Sequence, residues 1–233
     1  MSPSPQTTAV RSLHLIHHRH HACECSLPAP LTPAQAYHSA FNDDPSVRTA
    51  GNTAILPITT KIRGPAPIAA DPSQPDIIEE ALDLFRANCL FRNFEIKGPA
   101  DRLLIYLILF ISECLTKLAP QPGKPSPGYT EATKQLSTLA VDNFALPGEP
   151  GFPLNSMYHP PANRTEADAL RSYLTQTRSE LALRLADRLY PYEQVLGADG
   201  QPTGQQGPRA TKPSKWWMSF QKRRFMNRSL GGA

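Results

Sequence analysis

Seven side chains able to ligate a soft or borderline metal, His14, His17, His18, His20, His21, Cys23 and Cys25, fall within twelve residues near the start of the chain. Such a tract would capture Zn, Ni or Cu if the chain coiled around the ion. Structural zinc sites bring spaced ligand pairs together through a fold, and no second pair follows here. The tract is therefore read as part of a disordered extension, with no metal site expected. Glu79, Glu80 and Asp83 supply closely spaced carboxylates of the kind used in acid–base chemistry. They fall at the start of a helix, where acids stabilise the macrodipole without any reaction, so they are read as a solvated face. Cys89 and Cys114 sit among Leu, Phe and Ile, the setting of inert buried thiols. His38 and His159 are isolated and are read as structural. The sequence holds no Gly-x-Ser-x-Gly, Gly-x-Gly-x-x-Gly, Walker-type loop or His-Glu-x-x-His string. Neither an enzyme nor a cofactor is expected.

A different pattern closes the chain. Lys215, Trp216, Trp217, Phe220, Lys222, Arg223, Arg224 and Arg228 interleave aromatic and basic residues. Aromatic rings among bases suit the stacking platforms of single-stranded nucleic-acid binders, and equally the Trp- and Arg-rich hot spots of protein interfaces. Charge is concentrated in the same place. Seven of the 24 bases lie from Arg209 onward with no acid among them, leaving 17 bases against all 20 acids in front. The body is thus slightly acidic and the tail strongly basic, which calls for an acidic partner or a solvated face. These eight residues are the candidate partner-binding set.

The elements that must position them follow from periodicity and punctuation. Residues 1–35 hold five prolines, no acid before Glu24 and no hydrophobic period, so they are expected to be disordered. Their Arg, Ser and Thr content with few acids has features of a mitochondrial transit peptide, but Pro3, Pro5 and the His run interrupt any amphipathic helix. Residues 36–75 read as an extended arm, with a turn at Gly51-Asn52 and an apolar anchor at Ala54-Ile55-Leu56-Pro57-Ile58. A first helix is expected from Asp76, an N-cap followed three residues later by Glu79. Gly98 ends that segment and Pro99 opens a second helix, at the N1 position where its missing N–H costs nothing.

That second helix carries Leu103 to Ile111, nine apolar residues covering every side of the cylinder, so it must be wrapped by other elements. A short helix over Thr130–Ala140 and a long one from Arg164 to Tyr190, opened by Asn163 and stopped by Pro191, complete the expected set. Pro147 to Leu154 is read as a fixed irregular stretch anchored by Phe152 and Leu154. Trp216–Phe225 is read as a final amphipathic segment. The expected fold class is all-α, an irregular multi-helix bundle with one central apolar helix and an extended N-terminal arm. Residues 36–233 form one domain in this reading, with flexible loops at 119–128 and 191–211.

Composition narrows the function classes further. The 25 prolines in 233 residues are about twice the ordinary usage of ~5% and exclude a coiled coil. The nine-residue apolar run falls short of the ~20 residues a spanning helix needs. Four cysteines, two of them within apolar helical patterns, are unlike a secreted disulfide framework, so a reducing, cytosolic compartment is expected.

From Ala36 onward the sequence resembles the subunit 3 family of the actin-related protein 2/3 complex, the actin filament-branching nucleator. The resemblance is carried by Tyr37-His38-Ser39, Gly64-Pro65-Ala66-Pro67, Leu104-Ile105-Tyr106, Ile111-Ser112-Glu113-Cys114-Leu115, Pro147 to Asn155, Lys212 to Trp217 and Phe225-Met226-Asn227, in colinear order. It departs from the family in the 35-residue extension, the Pro-rich 119–128 loop and an enlarged 191–211 loop. What the resemblance implies is an all-α fold and a non-catalytic role in a seven-subunit assembly, beside actin-related protein 3 and near the mother filament. It further implies a cytoplasmic place in cortical actin structures, with no membrane span and no nucleic acid. A basic-tail nucleic-acid-binding protein is the alternative.

Overall fold

A computed structural model describes residues 37–44, 46–196 and 201–230. The His/Cys tract and the rest of the N-terminal extension lie outside the described residues. In chain order the elements are β1 (Arg48–Ala50), β2 (Thr53–Ile55), α1 (Ile77–Asn88), α2 (Pro99–Lys117), α3 (Tyr129–Val141), α4 (Arg164–Leu189), β3 (Tyr192–Leu196), β4 (Pro202–Arg209) and α5 (Lys215–Met218). Short 3₁₀ turns cover Ala40–Asp43 and Phe225–Asn227.

Helix α2 is the axis of the core. Every residue from Leu103 to Ile111 is buried, as are Ala100, Cys114 and Leu115. α1, α3, α4 and β2 all pack on it, as an all-round apolar helix requires. The helix starts follow their caps. Asp76 accepts from the N–H groups of Ile78 and Glu79, and Asn163 accepts from Glu166 N. Glu166 does not complete a reciprocal capping box. Its carboxylate instead accepts from Gly51 N at 2.7 Å and Ala162 N at 2.6 Å, tying the β1–β2 turn to the start of α4. Gly51 has φ +57°, and a Cβ there would meet His159 O at 2.4 Å, so the turn requires glycine twice over.

The expected all-α class does not hold: the fold is mixed, with two antiparallel two-stranded sheets beside the five α-helices among the described residues. β1 and β2 pair across Gly51-Asn52, aligning Arg48 with Ile55 and Ala50 with Thr53. Three residues per strand are too few to display a period of two, so only the turn was readable. β3 and β4 pair across residues 191–211, which the sequence suggests as a loop. Tyr192 to Gln194 and Thr203 to Gln206 are exposed. With neither face buried there is no apolar–polar alternation to betray the strands. The hairpin closes at its base through Ala210 N–H to Pro191 O at 3.0 Å.

The arm is bound to the helices by single side chains. The Tyr173 hydroxyl accepts from Leu56 N at 3.0 Å and donates to Leu56 O at 3.1 Å. Gln176 donates to Ile62 O and accepts from Ala66 N. Asp101, fully buried in the first turn of α2, accepts from Ser39 N, Asn42 Nδ2 and Lys97 N, and its Oδ2 stands 2.8 Å from His38 Nδ1. His38 is thus structural, fixing the Tyr37-His38-Ser39 segment onto α2.

The acids of α1 do not form a solvated face. Glu80 accepts from the Ser39 hydroxyl at 2.6 Å and Ala40 N at 2.7 Å. Arg184 of α4 bonds Asp76, Glu79 and Glu180 together, while Arg188 bonds Glu79 and Asp83. The cluster clamps the start of α1 to the end of α4.

Candidate partner-binding surface

The tail begins where α4 stops. Pro191 ends the helix, the β3–β4 hairpin makes its excursion, and Ser214 N–H returns to Leu189 O at 2.8 Å. That bond sets α5, a single turn, against the end of α1. Trp217 enters the core at 4% exposure and stacks on Phe85 with 5.7 Å between ring centroids and 20° between planes. Phe220 meets Phe85 edge-on at 6.2 Å. Trp216 stays half exposed, its ring 5.1 Å from Trp217. The Arg86 guanidinium lies 3.7 Å from the Trp216 centroid and 4.7 Å from that of Phe220. Arg86 Nε is buried with no hydrogen-bond partner, so the two aromatic faces stabilise this cation.

Of the amphipathic segment expected over 216–225, only the start, within Lys215–Met218, is helical. After Met218 the chain proceeds by turns to the 3₁₀ turn at Phe225, where Met226 and Asn227 adopt φ +53° and +55°. Two consecutive non-glycine residues in the left-handed region are sparsely populated and persist only where surroundings hold them. Here Met226 N–H bonds Phe91 O at 3.2 Å, and Phe225 is fully buried edge-on against Phe94. The reversal drives Phe225 inward and leaves Arg224 and Arg228 exposed on either side of it.

The structure thereby divides the eight predicted residues. Trp217 belongs to the core and Phe220 packs against it. Lys215 and Trp216 are exposed, the latter with Arg86 over its ring. Lys222, Arg223, Arg224 and Arg228 line a cleft of about 1010 Å³, joined across it by Lys117 from the end of α2. Its wall also includes Ser112, Glu113 and Thr116 of α2 and Gln221 of the tail. None of the five cations makes an ion pair among the described residues. The Thr116 hydroxyl bonds Ser112 O and Gln221 O, holding the tail against α2. Glu113 Oε2 and Gln221 Oε1 are buried in the cleft wall without hydrogen-bond partners. Burial pushes the Glu113 carboxyl above the usual carboxylate range, against the pull of Arg178 and Lys117.

Sequence reasoning missed Arg86, Lys117, Glu113 and Gln221. Lys117 and Glu113 sit one helical turn apart on α2 and were visible only as the polar continuation of an apolar run. Arg178 was missed as well. It is 2% exposed in the middle of α4, donates to Ala140 O, Leu139 O and the Tyr106 hydroxyl, and lies over Phe110 and Phe144. It therefore caps the carbonyls at the end of α3 while packing its plane on rings. No alternation marks it, because a buried arginine with these partners looks in sequence like any helix-surface base.

The two cysteines match the inert reading. Burial pushes the Cys89 thiol up to about 11 and raises that of Cys114 still further. No helix among the described residues is long and apolar enough to cross a membrane.

The arrangement offers chemistry of recognition: five convergent cations, two orphaned acceptors and a separate half-exposed tryptophan. The buried rings of Trp217 and Phe225 are unavailable for stacking on bases, which removes the main physical support for a nucleic-acid platform. A family model described as P21-Arc, the ARP2/3 complex ARPC3 (21 kDa) subunit, matches residues 34–230. Actin-related protein 2/3 complex subunit 3 of Schizosaccharomyces pombe is 51% identical over 195 residues, covering 84% of this chain and 99% of that protein. The Saccharomyces cerevisiae subunit 3 is 49% identical over 84% of this chain and 99% of its own length, and that of Arabidopsis thaliana 37% over 82% and 97%. This chain belongs to the ARP2/3 complex subunit 3 family.

Proposed function

We propose that the chain is a non-catalytic structural subunit of an actin-related protein 2/3 complex, contributing to actin filament nucleation, branching and attachment to the mother filament. Its partners in this reading are actin-related protein 3, the other subunits and the filament itself, in the cytoplasmic, cortical actin cytoskeleton. The observation that carries the proposal is the extent of the match: residues 34–230 span the whole helical core and the tail. Exposed bases act through long-range attraction, so Lys215, Lys222, Arg223, Arg224 and Arg228 are the residues assigned to an acidic neighbour such as the filament. Trp216, with Arg86 over its ring, suits a contact with another subunit. Trp217 and Phe220 hold that surface in place from beneath. Residues 1–35 precede the match almost entirely and are assigned no part in assembly, with 36–233 acting as one domain.

The test is purification of the tagged full-length chain from its own cells. Stoichiometric recovery with two actin-related proteins and four further subunits supports the reading, and recovery as a free monomer refutes it. Complexes carrying Lys222→Glu, Arg223→Glu and Arg224→Glu together should assemble yet branch less densely, with a deficit that shrinks as salt is raised. Wild-type branch density at low salt would refute the filament contact. Complexes lacking residues 1–35 should assemble and branch normally.

A further inference from the structure

The basic cleft between α2 and the tail has features that a flat filament-facing patch does not need. It is concave, and its volume of about 1010 Å³ lies at the upper end of ligand pockets, roughly 300–1,000 Å³. Three arginines and two lysines reach it from opposite walls: Arg223, Arg224 and Arg228 with Lys222 from the tail, and Lys117 from α2. Arginine forks match the oxygens of a phosphate in pairs, and convergent cations favour a compact anion of high charge over an extended one. The wall also carries Glu113 Oε2 and Gln221 Oε1, buried acceptors with no donor. Orphaned buried acceptors are costly and call for donors from outside. A carboxylate-rich side chain brings none, whereas a polyol brings hydroxyls.

We propose that this cleft is a binding site for a polyphosphorylated polyol, the chemistry of an inositol polyphosphate, supplied either as a free molecule or as a lipid headgroup. The phosphates engage Lys117, Lys222, Arg223, Arg224 and Arg228, and ring hydroxyls donate to Glu113 and Gln221. The proposal does not rest on the filament contact. It implies competition with such a contact where both are present, because the same tail bases serve both.

The test uses assembled complex carrying the full-length chain, titrated by calorimetry at fixed salt with inositol 1,4,5-trisphosphate, which keeps three free ring hydroxyls. In parallel, the complex is mixed with phosphatidylcholine vesicles containing phosphatidylinositol 4,5-bisphosphate, or phosphatidylserine matched in charge. One site per complex is expected. Removing one charge-assisted contact is worth about tenfold or more in affinity, so Lys222→Ala with Arg224→Ala should weaken binding by at least about a hundredfold. Both residues are exposed, and incorporation into the complex verifies that the variant folds. Cleft-dependent binding in the soluble arm alone identifies a free ligand, and in the vesicle arm alone a lipid headgroup. Binding that ignores the double variant overturns the proposal, as does equal binding to phosphatidylserine vesicles or tighter binding of a glutamate-rich peptide than of inositol 1,4,5-trisphosphate. Absence of binding in both arms overturns it too. The filament contact fails independently, by wild-type branching of the triple reversal.

Discussion

Replacing Trp217 by alanine should cost far more than replacing its neighbour Trp216, although the two are adjacent in sequence and identical in type. Trp217 is 4% exposed, stacked on Phe85, and sits where the returning tail meets α1. Truncating a buried tryptophan costs about 3–5 kcal/mol, because contacts are lost and the cavity collapses only partly. For a domain of this size each kcal/mol shifts the melting midpoint by roughly 2–4 °C, so a fall of roughly 6–20 °C is expected. Trp216 is 50% exposed and contributes mainly its face to the Arg86 guanidinium 3.7 Å away. An exposed cation–π contact is worth about 0.5–1 kcal/mol. With the half-buried ring area added, Trp216→Ala should cost about 1–2 kcal/mol and a few degrees. The assay is thermal unfolding of the full-length chain followed by near-ultraviolet circular dichroism, with incorporation into the complex as a second readout. Trp217→Ala should lower the amount of folded, incorporated subunit, and Trp216→Ala should spare folding while weakening a subunit contact. Equal midpoints for the two variants, or a larger fall for Trp216→Ala, would refute the division of the tail into a buried anchor and an exposed contact.

Three further outcomes are expected. Arg178→Lys keeps the charge but cannot reach Leu139 O, Ala140 O and the Tyr106 hydroxyl together, so a loss of about 2–4 kcal/mol is expected in urea unfolding. Because burial raises the folded-state pKa of Glu113 above its unfolded value, its ionised form opposes folding at neutral pH. That penalty is relieved as pH falls through the folded pKa toward the ordinary range. Glu113→Gln should therefore raise the urea midpoint at pH 7 and leave it nearly unchanged at pH 4. Replacing residues 192–209 by a two-glycine link should leave the core folded, since Ala210 already bonds Pro191. The loss should be about 1–2 kcal/mol, from the pair of Arg209 with Asp187 and its place over the Tyr129 ring, measured by thermal unfolding.

Much of the helical scaffold was legible because its signals are local. Asp76, Pro99, Asn163 and Pro191 punctuate the chain within two residues of where α1, α2 and α4 begin or end. The nine-residue apolar run of α2 announces burial on all sides without knowledge of the neighbours. Charge pairing is not local. The partners of Glu79 and Asp83 are Arg184 and Arg188, 105 to 109 positions along the chain. A rule that places first-turn acids beside a helix dipole explains their presence but leaves out the clamp they form. The strands escaped for a complementary reason: β3 and β4 bury neither face, so their sequence carries turn residues and no alternation.

In the tail, residue types were legible and their roles were not. Trp216, Trp217, Phe220 and Phe225 alternate with bases at spacings that suit one continuous amphipathic helix. The chain instead makes one turn of helix and then reverses at Met226 and Asn227, of which only Asn227 has a residue-type tendency toward the left-handed region. Tertiary forces impose that reversal, for it is the burial of Phe225 against Phe94 and the bond from Met226 N–H to Phe91 O that hold it. Its consequence is the cleft. A continuous helix would spread Lys222, Arg223, Arg224 and Arg228 around its circumference, whereas the reversal turns all four toward one volume facing Lys117. The same two residues that break the local rule therefore convert a basic stretch into a concave recognition surface, and strain tolerated at such a point is where function is expected to reside.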